Sequence, residues 1–182
     1  MKLIESLIPD CFEMRFTPRP DERGSFVKTM QSSVFAGLGL EFSFPESFYS
    51  VSHKNVLRGM HFQLAPADGA KLVYCLTGAI LDVAFDLRRG SPTFGQAASF
   101  TLRPELANGV YIPSGVAHGF YVLEGPATVV YQVSAEYNPL LDAGVRWDSL
   151  GFTWPGDDPI ISSRDRNFPE FAHFPTPFRF GA

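Results

Sequence analysis

The segment Asn55-Val56-Leu57-Arg58-Gly59-Met60-His61-Phe62-Gln63 sets a guanidinium and an imidazole three residues apart, beside a glycine that lets backbone come close to a ligand. An arginine so placed can grip a phosphate, and an imidazole can take up a proton near neutral pH. Taken alone, the segment fits a surface arginine and a packed histidine better than a site. A second signal comes from strand alternation. If Lys71 points inward, so do Val73 and Cys75, while Leu72 and Tyr74 face outward, and Tyr131 shares a face with Val129 and Val133. A lysine or a tyrosine among apolar neighbours is costly unless it has a partner, so these two positions mark a candidate site.

Other chemistries have less to work with. None of the four histidines, His53, His61, His118 and His173, forms a His-x-His or His-x-x-x-His pair, so a metal site would need assembly from distant positions. Cys11 and Cys75 belong to no CxxC pair or zinc spacing and read as reduced thiols. The formal charge is −4 and the basic residues are scattered, which excludes a footprint for a long nucleic acid but leaves room for one charged ligand.

The elements that must position these groups read as strands. Glycine (16) and proline (15) are frequent and no long stretch repeats at helical period. Residues 71–76, 79–87, 120–123 and 128–134 are rich in β-branched and aromatic types, with turn signals at Thr77-Gly78, Arg89-Gly90-Ser91-Pro92, Asn108-Gly109, Pro113-Ser114-Gly115 and Glu124-Gly125-Pro126 between and around them. This pattern predicts one all-β domain over residues 1–182, a sandwich or barrel. Only residues 32–38 and 139–145 look helical, both short and peripheral. Residues 155–182 turn to Pro, Phe, Asp and Arg without period, which predicts an irregular tail lying across the barrel. An acid inside the apolar N-terminal run and a proline soon after spoil a signal-peptide core, and no apolar run approaches the roughly 20 residues that cross a bilayer. The expected address is the cytoplasm, with no membrane partner.

The order Arg23-Gly24-Ser25-Phe26, Arg58-Gly59-Met60-His61, Ala70-Lys71-Leu72-Val73, Asp82-Val83-Ala84-Phe85-Asp86-Leu87-Arg88, Gly90-Ser91-Pro92-Thr93-Phe94-Gly95, Ala117-His118-Gly119-Phe120 and Ser134-Ala135-Glu136-Tyr137-Asn138-Pro139 resembles the dTDP-4-dehydrorhamnose 3,5-epimerase family. The likeness runs from about Arg23 to Asp165. It implies a jelly-roll barrel of the cupin type, usually a homodimer in which strands of one subunit complete the other's sheet, acting on a nucleotide-linked 4-keto-6-deoxy sugar without a metal or other cofactor. Position by position, His61 resembles the family's base, Asp165 the carboxylate that orients it, Tyr131 the acid on the other face of the sugar, and Lys71 the lysine near the ketone oxygen. Arg58 and Arg23 resemble the cations that hold the diphosphate. Phe26, Glu46 and Ser50 fall in blocks that meet the nucleotide end. His118 lies near the site in the family, either as a supporting donor or as a packing residue. Asp82 and Asp86 alternate on one strand face with Arg88, which points to an ion-pair role, although Asp82 could support Lys71 or His61.

The chain also leaves the pattern. The family usually has Phe-x-Glu after Arg-Gly-x and a Gln-x-Asn-x-Ser stretch before Arg-Gly-x-His; here these read Phe26-Val27-Lys28 and Glu46-Ser47-Phe48-Tyr49-Ser50. Each swap changes charge or hydrogen-bonding groups, so a different carrier nucleotide such as CDP or GDP, or inversion at C3 alone, stays open. A metal-dependent cupin and a non-catalytic sugar-binding barrel are the readings from other classes.

Overall fold

Two runs of β-branched and aromatic residues are far longer than an ordinary strand, and they organise everything around them. The computed structural model describes residues 1–181. Its strands are β1 (Lys2–Glu5), β2 (Phe12–Arg15), β3 (Pro18–Asp21), β4 (Gly24–Val27), β5 (Glu46–Ser52), β6 (Leu57–Gln63), β7 (Lys71–Asp86), β8 (Ala97–Leu102), β9 (Asn108–Ile112), β10 (Val116–Val133) and β11 (Asp142–Gly144). Nine of them form one antiparallel sheet in the order β1-β2-β9-β7-β10-β6-β11, with β8 also on β7 and β5 also on β10; β3 and β4 make a separate hairpin. The start of β7 pairs with β9 and its end with β8, while the start of β10 pairs with β6 and its end with β5. Each long strand therefore belongs to both layers, and the sheet closes into a jelly-roll barrel.

Thr77-Gly78 and Glu124-Gly125-Pro126, expected to end strands, are instead bends inside β7 and β10. The register between these strands shifts three times between Val122 and Val129. Gly78 has φ +74°, and a Cβ there would overlap the carbonyl oxygen of Glu124. Turn-forming residues here supply β-bulges, which bend a strand without ending it. The bulges also switch parity. Val73 and Cys75 face the barrel interior before the bend in β7, and Ile80 and Ala84 after it; in β10 the interior residues are Val116, Phe120 and Val122, then Ala127, Val129 and Tyr131.

Three apolar clusters result. One fills the barrel. A second, around Met14, Phe35, Leu72 and Tyr111, packs the N-terminal strands and helix α1 (Ser32–Gly37) on the outer face. Leu72 thus points out of the barrel, as alternation predicted, yet is fully covered. The third joins Phe62 and Phe85 to the C-terminal segment, where Phe171, Phe174 and Phe178 pack ring against ring on them. That segment is irregular apart from helix α2 (Ser163–Arg166) and a 3-10 turn at Phe171–His173. The helix expected at residues 139–145 is absent: β11 lies there, pairing Asp142 with Gln63 and Gly144 with His61. Its weak local preference yields to the edge of β6, where only a glycine fits at 144 because a Cβ would meet Met60 O at 2.6 Å.

The Gly90-Ser91-Pro92-Thr93 motif serves the fold. Fully buried Asp86 accepts from Arg88 N and Nε (both 2.9 Å) and Nη2 (3.0 Å), and from the hydroxyls of Ser91 (2.6 Å) and Thr93 (2.8 Å). Burial alone would raise the Asp86 pKa; these donors outweigh it and hold it below its ordinary value. Asp86 and Arg88 form the expected ion pair, whereas Asp82 bonds elsewhere, as described below. Asp86→Asn turns an acceptor into a donor facing donors, and is expected to cost about 3–5 kcal/mol in urea unfolding. Because the folded pKa is depressed, this stabilisation is present above the unfolded carboxylate pKa and is lost as pH falls through the folded one, so the gap between wild type and variant should close in acid.

Candidate active site

Residues three apart on a regular strand point to opposite faces, so Arg58 and His61 could not share a site on an ideal β6. They do share one, because two steps along β10, His118 to Phe120, span three along β6, His61 to Arg58. The bulge holds Gly59, with φ +131°; a Cβ there would lie 2.5 Å from Gly119 Cα, and one on Gly119 would lie 2.8 Å from Arg58 O. The glycines of Arg58-Gly59-Met60-His61 and Ala117-His118-Gly119-Phe120 are thus face to face. The glycine expected to admit a ligand admits a neighbouring strand instead.

Arg58, His61, Lys71, His118 and Tyr131 line one cavity of about 400 Å³, together with Glu46, Phe48 and Ser50 on alternate positions of β5. That volume is in the range of small-molecule sites. His61 Nε2 lies 2.9 Å from Asp165 Oδ1, and Asp165 Oδ2 accepts from Gly59 N at 3.1 Å. Burial pushes the Asp165 pKa up, but the bonds from His61, Gly59 and Ser162 outweigh it and keep it below the ordinary value. An ionised carboxylate cannot donate, so Nε2 carries the proton and Nδ1 keeps its lone pair. Asp165 is set by the first turn of α2, where the Ser162 hydroxyl accepts from Asp165 N at 3.1 Å. Burial lowers the His61 pKa below 6.5, opposed by Asp165, so the imidazole is neutral at neutral pH.

Lys71 donates to His61 O at 3.1 Å, and burial brings its pKa down to about 8 against the pull of Asp142 and Asp82. It therefore remains mostly charged at pH 7. His118 Nε2 sits 2.7 Å from Asp82 Oδ2, both buried, so Asp82 supports His118 rather than His61. Tyr131 packs edge-on against His118 and face-on against Phe48, with centroids 5.9 Å and 4.7 Å apart. Burial raises the Tyr131 pKa well above 10 and keeps the phenol protonated. Ser50 Oγ and Asp82 Oδ1 are buried without a hydrogen-bond partner, two polar atoms left open at the site. Among the described residues no group of three His, Cys, Asp or Glu side chains converges to hold a metal ion, and no helix is long and apolar enough to cross a membrane.

Arg23 and Phe26 do not line this cavity. They sit on the β3–β4 hairpin, where Arg23 pairs with Asp21 and Phe26 is 60% exposed. Lys28, just beyond, bonds Gln31. Glu46 does line the cavity, and its Oε2 accepts from Tyr137 N at 2.6 Å. Tyr137, Asp142 and Arg164 complete the rim, with Arg164 Nη1 3.0 Å from Asp142 Oδ2. Alternation along β5 could have flagged Phe48 between Glu46 and Ser50; nothing local in the sequence signals Asp142 or Arg164.

A neutral base with an orienting carboxylate, a fixed cation and a protonated phenol around one cavity is a set suited to moving protons on and off carbon. Over residues 5–173 the chain matches the family model described as dTDP-4-dehydrorhamnose 3,5-epimerase. The dTDP-4-dehydrorhamnose 3,5-epimerase of Shigella flexneri is 38% identical over 176 residues, covering 94% of this chain and 96% of that one. The crystal structure of dTDP-6-deoxy-D-glucose-3,5-epimerase from Legionella pneumophila in complex with dTDP-4-keto-L-rhamnose has a TM-score of 0.94 at 33% identity, covering 100% of this chain and 99% of that one. ChmJ, a 3'-monoepimerase from Streptomyces bikiniensis solved with dTDP-quinovose, has a TM-score of 0.85 at 34% identity, covering 91% and 86%.

Proton transfer at this site should rise with pH through the His61 pKa, below 6.5, and fall above about 8 as Lys71 loses its charge. Lys71→Arg should lower the rate but carry the alkaline limb out of range. An unchanged alkaline limb in the kcat/KM profile of that variant would show that another group sets it.

Proposed function

The chain belongs to the dTDP-4-dehydrorhamnose 3,5-epimerase family, and from that premise we propose that its cavity inverts carbons 3 and 5 of a dTDP-linked 4-keto-6-deoxy sugar. The observation that carries this reading is the His61–Asp165 pair, with a free Nδ1 in the same cavity as a protonated tyrosine and a charged lysine. A hydrogen on carbon beside a ketone is a weak acid. His61 Nδ1 takes that proton, the C–H electron pair moves toward the carbonyl oxygen, and the resulting enolate needs a donor at the oxygen. Lys71 supplies one, exchanging its bond to His61 O for a bond to the sugar. Asp165 stabilises the imidazolium.

Inversion then requires a proton on the opposite face. Tyr131, held protonated by burial, donates it. Arg58, exposed at the cavity and fixed through Nε to Ser52 Oγ at 2.9 Å, holds the diphosphate. The reading calls on no metal, because Lys71 supplies the positive charge at the ketone oxygen.

Arg23 and Phe26 enter through a partner. The β3–β4 hairpin stands apart from the nine-stranded sheet, and β5, bonded only to β10, turns Tyr49 and Val51 outward at 69% and 55% exposure. In the proposed homodimer, hairpin and β5 meet a second copy, and each hairpin brings Arg23 and Phe26 to its partner's cavity. The same arrangement accounts for their distance from the cavity of their own chain.

In D₂O, NMR of dTDP-, CDP- and GDP-linked 4-keto-6-deoxy sugars should show deuterium at C3 and C5 of the dTDP sugar. His61→Asn should cut both by about 10²–10⁴-fold, and Tyr131→Phe should cut C5 more than C3. Label at C3 alone would mark a 3-epimerase, and label only in a CDP or GDP sugar would overturn the nucleotide. For the dimer, neither Arg23→Ala nor His61→Ala should be active alone. Mixed and re-equilibrated, they should regain about a quarter of wild-type activity, since half the dimers are mixed and hold one complete site. No recovery would place Arg23 outside the partner's site.

A further inference from the structure

Tyr131 meets aromatic rings on two sides within the cavity. Its cross-strand neighbour is Phe48, register partner on β5, and the two rings lie 4.7 Å apart at 17°. His118 meets the phenol edge-on at 72°. The ring is therefore confined between a parallel face and a perpendicular edge. Phe48 lines the cavity and remains 45% exposed, so its side chain contributes little to the barrel core. A half-exposed phenyl group on an edge strand, spread over a buried phenol, covers that phenol from water and limits its tilt.

We propose that Phe48 is a positioning residue for Tyr131: by stacking on the phenol it aims the hydroxyl at the carbon to be reprotonated, and so governs inversion at C5 relative to C3. This rests on the reading of Tyr131 as the returning acid. Proton transfer in either direction falls off steeply when donor and acceptor are misplaced by an ångström or so, whereas removal of the first proton by His61 does not involve the phenol. With Tyr131 read as the acid that serves C5 above all, losing the stack therefore acts on C5 more than on C3. A role of Phe48 confined to stability or to general substrate binding would scale both carbons together.

The test uses the full-length protein and dTDP-4-keto-6-deoxyglucose in D₂O, reading deuterium at C3 and C5 separately for wild type, Phe48→Leu, Phe48→Met, Phe48→Tyr and Tyr131→Phe. Phe48→Leu and Phe48→Met, which fill similar volume without a ring, should lower kcat for C5 exchange about tenfold with C3 exchange changed less than about twofold, while Phe48→Tyr stays within about threefold of wild type at both carbons. Equal losses at both carbons, or a change in KM alone, would overturn the positioning role. If Tyr131→Phe itself spares C5, the assignment of the acid fails, and this inference with it. Loss at C5 in Tyr131→Phe with an unchanged C5-to-C3 ratio in both Phe48 variants would sink the inference alone.

Discussion

A β-strand shows alternate residues to alternate faces, and the gathering of six side chains at this site depends on breaking that rule at three places. Lys71 and Asp82 stand eleven apart on β7, His118 and Tyr131 thirteen apart on β10, and Arg58 and His61 three apart on β6, all odd separations that a regular strand would send to opposite sides. Bulges at Thr77-Gly78, at Glu124–Thr128 and at Gly59 each insert one step of parity, and all six side chains then face one interior. The glycines are fixed by backbone approach, Gly59 against Gly119 and Gly78 against Glu124, so the motifs around them reflect strand geometry as much as chemistry.

The same interior sets the protonation states. Withdrawal from water lowers the pKa of His61 and Lys71 and raises that of Tyr131. Each shift favours the neutral form, which is the form a base and a proton donor need. Lys71 is the exception, since its charge matters. Asp142 and Asp82 offset part of its burial and leave it protonated at neutral pH. Asp165 escapes the trend because three donors serve it. One medium thus yields a neutral imidazole, a charged ammonium and a protonated phenol, sorted by their nearest partners.

Much of this was legible in the sequence because it rests on alternation. Lys71 with Val73 and Cys75, and Tyr131 with Val129 and Val133, share faces as local pattern requires, and the family resemblance supplied the jelly roll. The failures are those of local reading against tertiary context. Gly78 and Pro126 look like chain reversals, yet their partners lie on another strand, so only the paired structure shows a bend. Residues 139–145 form β11 because β6 offers an edge. Asp82 was placed on the right face without its partner, since pairing with His118 needs the register of β7 on β10. Asp165 came from resemblance alone: nothing between Ser162 and Arg166 says that this turn will reach Gly59 across a hundred residues.

Asp165 sits on a segment held to the barrel by phenylalanines, Phe171, Phe174 and Phe178 against Phe62 and Phe85, and by backbone bonds of Ile160 with Asn55 and Leu57 and of Phe178 and Phe180 with Arg89. The barrel's own strands close without it. Detachment of this segment is therefore a sub-global opening that costs less than unfolding the sheet, and it removes the carboxylate from His61 while the jelly roll stays intact. Residues beyond α2 act as a clasp, so the place of the carboxylate beside His61 is tied to the seating of the C-terminal rings.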